Sequence, residues 1–237
     1  LVCDHEKQCE GHCVLGRKGA PVHFSTIENY ISSAYAHKMT RGPAPSNGMR
    51  VAIVGSGPAG ITIAIILARY GYKVTIFEIK DQIGGVLRYG IPEFRLPKSV
   101  LDDIQYRHLE MKGIQIRPNT TIGGAIGIDD LFRDGYKAIF IGTGVWNPNA
   151  LHIRGETLGN VHFGINYLNN PDSYKLGEQV IVIGAGNAAM DVARTALRKG
   201  VRKLTCFSLT RKVAASDYEY SYAKLEGVEF EFNKMPV

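Results

Sequence analysis

Cysteine is scarce in this chain, at four residues in 237, so a disulfide scaffold is excluded. Long apolar runs are missing as well. The longest, Ala59 to Ala68, carries Gly60 and Thr62 and is too short to span a bilayer. No secretory or lipidation motif is visible. Disordered and fibrous classes are excluded by composition, with 45% hydrophobic and 21% charged residues. The length predicts one large domain or two small ones.

Charge of one sign is in modest excess, at +6. The basic residues are spread out and mostly interleaved with acids, so nucleic acid does not follow. One denser stretch holds Arg194, Arg198, Lys199, Arg202 and Lys203, then Arg211 and Lys212. It reads either as a helix C-terminus whose cations oppose the dipole, or as a site for phosphates or an acidic partner. Three of the four cysteines, Cys3, Cys9 and Cys13, crowd the first thirteen positions, which points to metal chemistry and a reduced, cytoplasmic compartment. The chain opens on Leu1 inside this cluster, which reads as part of a longer polypeptide.

Residues 1–24 show no hydrophobic period. Ser25 to Glu28 has the pattern of a capping box, and Ile27, Ile31 and Tyr35 follow at helical spacing, predicting a helix near 26–37. Gly42, Pro43, Pro45 and Gly48 mark a linker over 39–49 and a domain boundary. An alternation then begins. Strands are predicted at Val51–Val54, Lys73–Glu78, Ile114–Ile116 and Ala138–Ile141, all buried, with helices to about Tyr70 and from Pro97. The cycle restarts with a strand at Val180–Ile183, a helix at Ala188–Arg198 and a strand at Lys203–Phe207. Strands alternating with helices imply parallel, doubly wound sheets. Two strand–glycine–helix starts imply two Rossmann-like units, a distant internal repeat.

Gly55-Ser56-Gly57-Pro58-Ala59-Gly60 lies between the first strand and its helix, the context a dinucleotide-binding turn requires. Gly55 permits the tight turn, Gly57 lets a pyrophosphate approach the backbone, and Gly60 lets helix and strand pack closely. Glu78 ends the next strand, where a carboxylate can accept both ribose hydroxyls of an adenosine and repel a 2′-phosphate. Gly184-Ala185-Gly186-Asn187-Ala188-Ala189 repeats the motif with Ala for the last glycine. No acid ends its following strand, and Arg211 and Lys212 lie slightly beyond, as a 2′-phosphate site or a solvated turn. Two dinucleotide sites suggest electron transfer between two cofactors, and FAD with a nicotinamide fits that logic. No CxxC is present, which rules out a flavin disulfide reductase. Hydride transfer needs no protein acid, base or nucleophile, so no catalytic side chain is assigned. Cys3-x5-Cys9-x3-Cys13 could ligate iron–sulfur or zinc, with His5 or His12 as a further zinc ligand, or be free or disulfide-bonded cysteines. Cys206 falls in a predicted buried strand.

CDHEKQCEGHC (Cys3 to Cys13), IGGVLRYGIPEFRLPK (Ile83 to Lys98), Ile141 to Gly144 and GAGNAAMD (Gly184 to Asp191) together resemble the glutamate synthase small-subunit family. The wider family includes the large subunit of the bifurcating NADH-dependent ferredoxin:NADP oxidoreductase and the N-terminal half of dihydropyrimidine dehydrogenase. The resemblance implies a truncated helical iron–sulfur domain over 1–40, the first segment of an FAD domain over 41–150, and an inserted NAD(P)H domain over 151–237. It places Gly55, Gly57, Pro58, Ala59, Gly60, Glu78, Gly85, Val86, Arg95 and Gly144 on FAD. On NAD(P)H it places Gly184, Ala185, Gly186, Asn187 and Ala188. It implies two four-iron four-sulfur clusters, with Cys3, Cys9 and Glu28 on one and Cys13 on the other. The cysteines expected upstream of Cys3 are absent. Relatives carry tandem arginines where this chain has Leu209 and Thr210, with Arg211 and Lys212 offset, which leaves NAD against NADP open. The implied activity passes electrons from NAD(P)H through FAD to the clusters and a partner subunit. That partner is a glutamate synthase large subunit or a ferredoxin-reductase-like small subunit, with ferredoxin a further candidate. A nucleotide-binding subunit with a sensing role is the alternative.

Overall fold

A computed structural model describes residues 2–35, 38, 44–110 and 113–236. The elements in order are α1 (Phe24–Tyr35), β1 (Arg50–Val54), α2 (Pro58–Arg69), β2 (Lys73–Phe77), α3 (Val86–Tyr89), α4 (Lys98–Ile104), β3 (Gln115–Arg117), α5 (Ile128–Arg133) and β4 (Tyr136–Ile141). Then come α6 (Gly164–Asn169), β5 (Gln179–Ile183), α7 (Asn187–Arg198), β6 (Lys203–Ser208), α8 (Asp217–Leu225) and β7 (Glu229–Phe232). These divide into two compact units, one of Asn29–Val145 and one of Leu1–Glu28 with Trp146–Val237. Residues 36 and 37 of the expected helix, and 39–43 of the expected linker with the boundary placed there, lie outside the described residues.

The first unit holds a four-stranded sheet in the order β3-β2-β1-β4, all parallel. Register aligns Val51 with Val74 and Ala138, and Ile53 with Ile76 and Phe140. Side chains alternate across a strand. Ile53, Val74 and Ile76 therefore pack on one face with Ile61, Ala64 and Ala68 of α2 and with Leu109. Ala52, Val54 and Phe77 pack on the other with Leu131 of α5 and Tyr136. A sheet covered on both faces explains why β1 reads as a continuous apolar run. Leu101 and Leu109 are both buried, the helix expected from Pro97 continuing past α4 as a π-turn over Gln105–Leu109.

The second unit repeats the plan with three parallel strands in the order β5-β6-β7. Met190, Ala193 and Ala196 of α7 pack on Leu204 and Cys206 of β6, Val182 of β5 and Ala223 of α8. The burial expected for Ala138–Ile141 is not met. β4 and β5 are edge strands of their sheets, and Ile141, Ile181 and Ile183 are exposed. Their apolar runs resemble those of central strands, but among the described residues each pairs on one side only.

The capping box at Ser25 is corrected too. Ser25 lies inside α1, and both its N–H and its hydroxyl donate to Glu10 Oε1, at 3.3 and 3.0 Å. The helix start is thus satisfied by a carboxylate from the cysteine segment, and Glu28 is an exposed mid-helix residue.

Candidate functional site: two glycine turns and a cysteine segment

The first turn leaves the C-terminal end of β1, where ligands bind in open α/β sheets. Gly55 N–H donates to the Phe77 carbonyl at 2.8 Å, and Gly142 N–H to the Val54 carbonyl at 2.8 Å, so the ends of β2, β1 and β4 meet there. Gly55 has φ +101°, and a Cβ on it would lie 2.4 Å from the Gly142 carbonyl oxygen. A Cβ on Gly60 would lie 2.0 Å from the Gly55 oxygen, and one on Gly85 would lie 2.8 Å from Gly57 Cα. These three glycines are packing requirements. Gly57 differs: a Cβ there would meet nothing within 4 Å. It is the N-cap of α2, whose start carries no side-chain cap. Backbone N–H groups with open space before them suit a diphosphate.

Glu78 stands just past β2, 5% exposed. Its Oε2 accepts Ser56 N–H at 2.8 Å and the buried Ser56 hydroxyl, and its Oε1 accepts Lys80 N–H at 2.8 Å. Ser56, which the sequence reading passed over, is therefore the residue that aims the carboxylate at the turn. Pro58 and Ala59 are exposed at the α2 start, Val86 opens α3, and Gly144 is exposed in the loop after β4. Arg95 is half-buried in the turn between α3 and α4.

Two charged residues of Ile83 to Lys98, Arg88 and Lys98, bond to that stretch and its neighbour α4. Arg88 donates to the Ile83 carbonyl at 2.7 Å and pairs with Asp102. Lys98 donates to the carbonyls of Leu87 and Ile91 at 3.1 and 2.5 Å, and burial pulls its ammonium below the ordinary lysine range. The Tyr89 hydroxyl donates to Asp81 at 2.5 Å; burial first, and that bond second, push it up to about 12.

The second turn reproduces the first. Gly184 N–H donates to the Phe207 carbonyl at 2.9 Å, as Gly55 does to Phe77. Gly184 has φ +130°, and a Cβ on Gly186 would again meet nothing within 4 Å. The Ala185 carbonyl accepts the N–H groups of Ala214 and Ala215 at 3.0 and 2.9 Å, and Asn187 Oδ1 accepts Ser216 N–H at 2.9 Å. The Asn187 side-chain amide oxygen is thus spent on the chain itself. Ser208 occupies the place Glu78 holds in the first unit. Arg211 and Lys212 are exposed on the loop that follows, which leads straight into the residues bound to the turn.

The other cations of the basic stretch are paired within the unit. Arg194, 6% exposed, meets Glu219 at 2.7 Å and Glu226 at 2.9 Å; Arg198 meets Glu226. Lys199 meets Asp172, Arg202 meets Glu178 at 3.5 Å, and Lys203 meets Glu229 at 3.9 Å. These pairs fit the reading of a helix end followed by a solvated turn.

Cys3 and Cys9 are exposed and Cys13 half-buried, all three free. Cys13 caps a 3₁₀ turn over Val14–Arg17. The N–H of Val22 donates to its sulfur at 3.5 Å; that bond, with smaller help from Leu15 and Gly16 and against desolvation, holds the thiol below its ordinary range. Such a sulfur suits a thiolate ligand. Among the described residues, no three His, Cys, Asp or Glu side chains converge on one point. The donors are therefore right in kind, but they do not close a cluster by themselves. Cys206 is fully buried in β6, its thiol pushed up to about 12 by desolvation. Among the described residues no helix is long and apolar enough to cross a membrane.

The family profile of dihydropyrimidine dehydrogenase domain II, 4Fe-4S cluster, matches residues 1–40. The chain is 34% identical over its whole length to the glutamate synthase [NADPH] small chain of Escherichia coli K12, of which it covers 54%. It is 33% identical over 98% of its length to the NADP(+)-dependent formate dehydrogenase subunit beta of Moorella thermoacetica, of which it covers 37%. The chain thus spans about half or less of the length of these relatives. FprA from Mycobacterium tuberculosis in complex with NADPH shares the fold, with a TM-score of 0.63 at 22% identity over 78% of this chain and 48% of that one. FAD and NAD(P)H are the cofactors that go with the family matched over residues 49–237, and a 4Fe-4S cluster goes with the profile matched over residues 1–40. The profile of the pyridine nucleotide-disulphide oxidoreductases matches residues 49–237, and the chain belongs to that family.

Proposed function

We propose that the chain carries electrons from NAD(P)H through FAD to four-iron four-sulfur clusters and on to a partner subunit, in the manner of the small subunit of glutamate synthase. The observation that carries this reading is the pair of equivalent turns. Each has its glycine N–H bonded to the end of the neighbouring strand, and each has one glycine, Gly57 or Gly186, facing open space. Bound FAD supplies the conversion between a two-electron donor and one-electron acceptors.

The chain's own residues bind and orient. The amides at the start of α2 and the bare face of Gly57 receive one diphosphate. Glu78, held by Ser56 and Lys80, retains acceptor capacity for an adenosine ribose. The start of α7 and Gly186 receive the second diphosphate. Ser208 in place of an acid removes the repulsion a 2′-phosphate would meet, and Arg211 and Lys212 supply cations beside it, which favours NADPH. Cys3, Cys9, Cys13 and Glu28 contribute part of the cluster ligands. The partner is another redox subunit, of the glutamate synthase large-subunit kind or a ferredoxin-reductase-like small subunit. The setting is the cytoplasm, where cluster thiolates stay reduced.

The purified holoprotein, with its partner chains, should carry a flavin absorption band together with protein-bound iron. Loss of either from an intact preparation overturns the proposal.

A further inference from the structure

The cysteine segment is joined by hydrogen bonds to residues 214–218, which in turn bond the second glycine turn. Glu6 lies between Cys3 and Cys9. Its carboxylate accepts the N–H groups of Asp217 and Tyr218 at 2.8 and 3.2 Å, the first two residues of α8. The Ser216 hydroxyl accepts the third, from Glu219, at 3.3 Å. The opening amides of this helix are otherwise without intrahelical acceptors, and a negative charge there is favourable. Lys7, the next residue, donates its Nζ to the Ala214 carbonyl at 2.8 Å. The stretch so gripped, 214–218, is the one that holds the turn: Ala214 and Ala215 bond Ala185, and Ser216 bonds Asn187. Arg211 and Lys212 stand at its approach.

We propose that Glu6 and Lys7 are positioning residues of the nicotinamide-dinucleotide site, so that the cysteine segment is a structural component of that site. The inference rests on the reading of Gly184–Ala188 as the NAD(P)H turn. Residues 214–218 are clamped between the turn and the segment. Releasing the segment side lets the loop relax away from Ala185 and Asn187. Coupling of this kind is reciprocal, so a dinucleotide held at the turn tightens residues 4–12.

The test uses the holoprotein, with NADP⁺ as probe, so that no electron moves. Hydrogen exchange of wild type with saturating NADP⁺ should slow in residues 4–12 as well as at 184–190 and 214–218. Glu6→Ala should weaken NADP⁺ binding by roughly three- to tenfold, the range expected for a lost helix cap, with FAD content unchanged. Glu6→Gln, which keeps one acceptor oxygen, should recover part of that loss. Lys7→Ala carries the same prediction at smaller size should Glu6→Ala fail to fold. Unchanged NADP⁺ affinity in both alanine variants, or a wild type that binds NADP⁺ with no response in 4–12, overturns the inference. A wild type that binds only NAD⁺ is tested with NAD⁺ as the probe under the same criteria, and one that binds neither dinucleotide faults the underlying assignment of the turn instead.

Discussion

Replacing Gly57 by Ala separates fold from cofactor more cleanly than any other change at the first turn. Its backbone, at φ −68° and ψ −178°, is open to any residue, and the added Cβ meets no protein atom within 4 Å. The cost to the fold is that of Ala in place of Gly at an N-cap, about 1 kcal/mol or less. The cost to FAD is larger. A methyl group on the bare face displaces a diphosphate from the α2 amides, and a hydrogen bond to a charged group contributes about 1.5–3 kcal/mol. Loss of one such bond weakens FAD binding by roughly ten- to a hundredfold. Gly60→Ala is the contrasting variant: its Cβ would sit 2.0 Å from a backbone oxygen, so it should fail to fold normally. Thermal melts and fluorescence titration of apoprotein with FAD measure the two effects separately. Gly57→Ala that binds FAD like wild type refutes the assignment of this face to the diphosphate. Gly186→Ala should spare FAD and weaken the nicotinamide dinucleotide.

Arg194→Ala leaves the buried Glu219 without its close cation and should cost about 3–5 kcal/mol by denaturant unfolding, with an effect under 1 kcal/mol contradicting the account. In the same network desolvation works to raise Glu226, but its bonds to Arg198 and Arg194 outweigh this and hold it below the usual 4.5. Its contribution is therefore present above pH about 4.5 and is lost as pH falls through the lowered folded value, so acid should destabilise wild type more than an Arg194→Met, Glu226→Gln double variant. Arg211→Ala with Lys212→Ala should raise KM for NADPH several-fold and leave KM for NADH nearly unchanged; equal effects on both would remove these residues from any 2′-phosphate site. Native protein treated with iodoacetamide at pH 8 should label Cys206 only after unfolding, because that thiol is buried and pushed up to about 12.

The parallel sheets and both turns were legible because their signals are local. Val51–Val54 runs straight into Gly55, and Val180–Ile183 into Gly184, and no other short element explains an apolar strand broken by such glycines. What failed depended on distant partners. Glu10 displaced the apparent capping box at Ser25, because a carboxylate from another segment can satisfy the same amides. Edge position for β4 is a property of pairing and leaves no mark in the apolar run Ala138 to Ile141. α8 was missed although Ser216 followed by Glu219 is a capping signature, and its weak apolar periodicity hid it. The roles of Ser56 and Glu6 rest on contacts spanning 22 and more than 200 positions, which spacing alone does not reveal. Arg88 and Lys98, in a stretch specific enough to suggest cofactor contacts, bond mostly to their own loop.

Anaerobic stopped-flow mixing of the holoprotein with NADPH tests the central claim most directly. Rapid bleaching of the flavin band, followed by slower spectral change at the iron–sulfur chromophore, is the expected result. Tight NADPH binding with the flavin band left intact would contradict it.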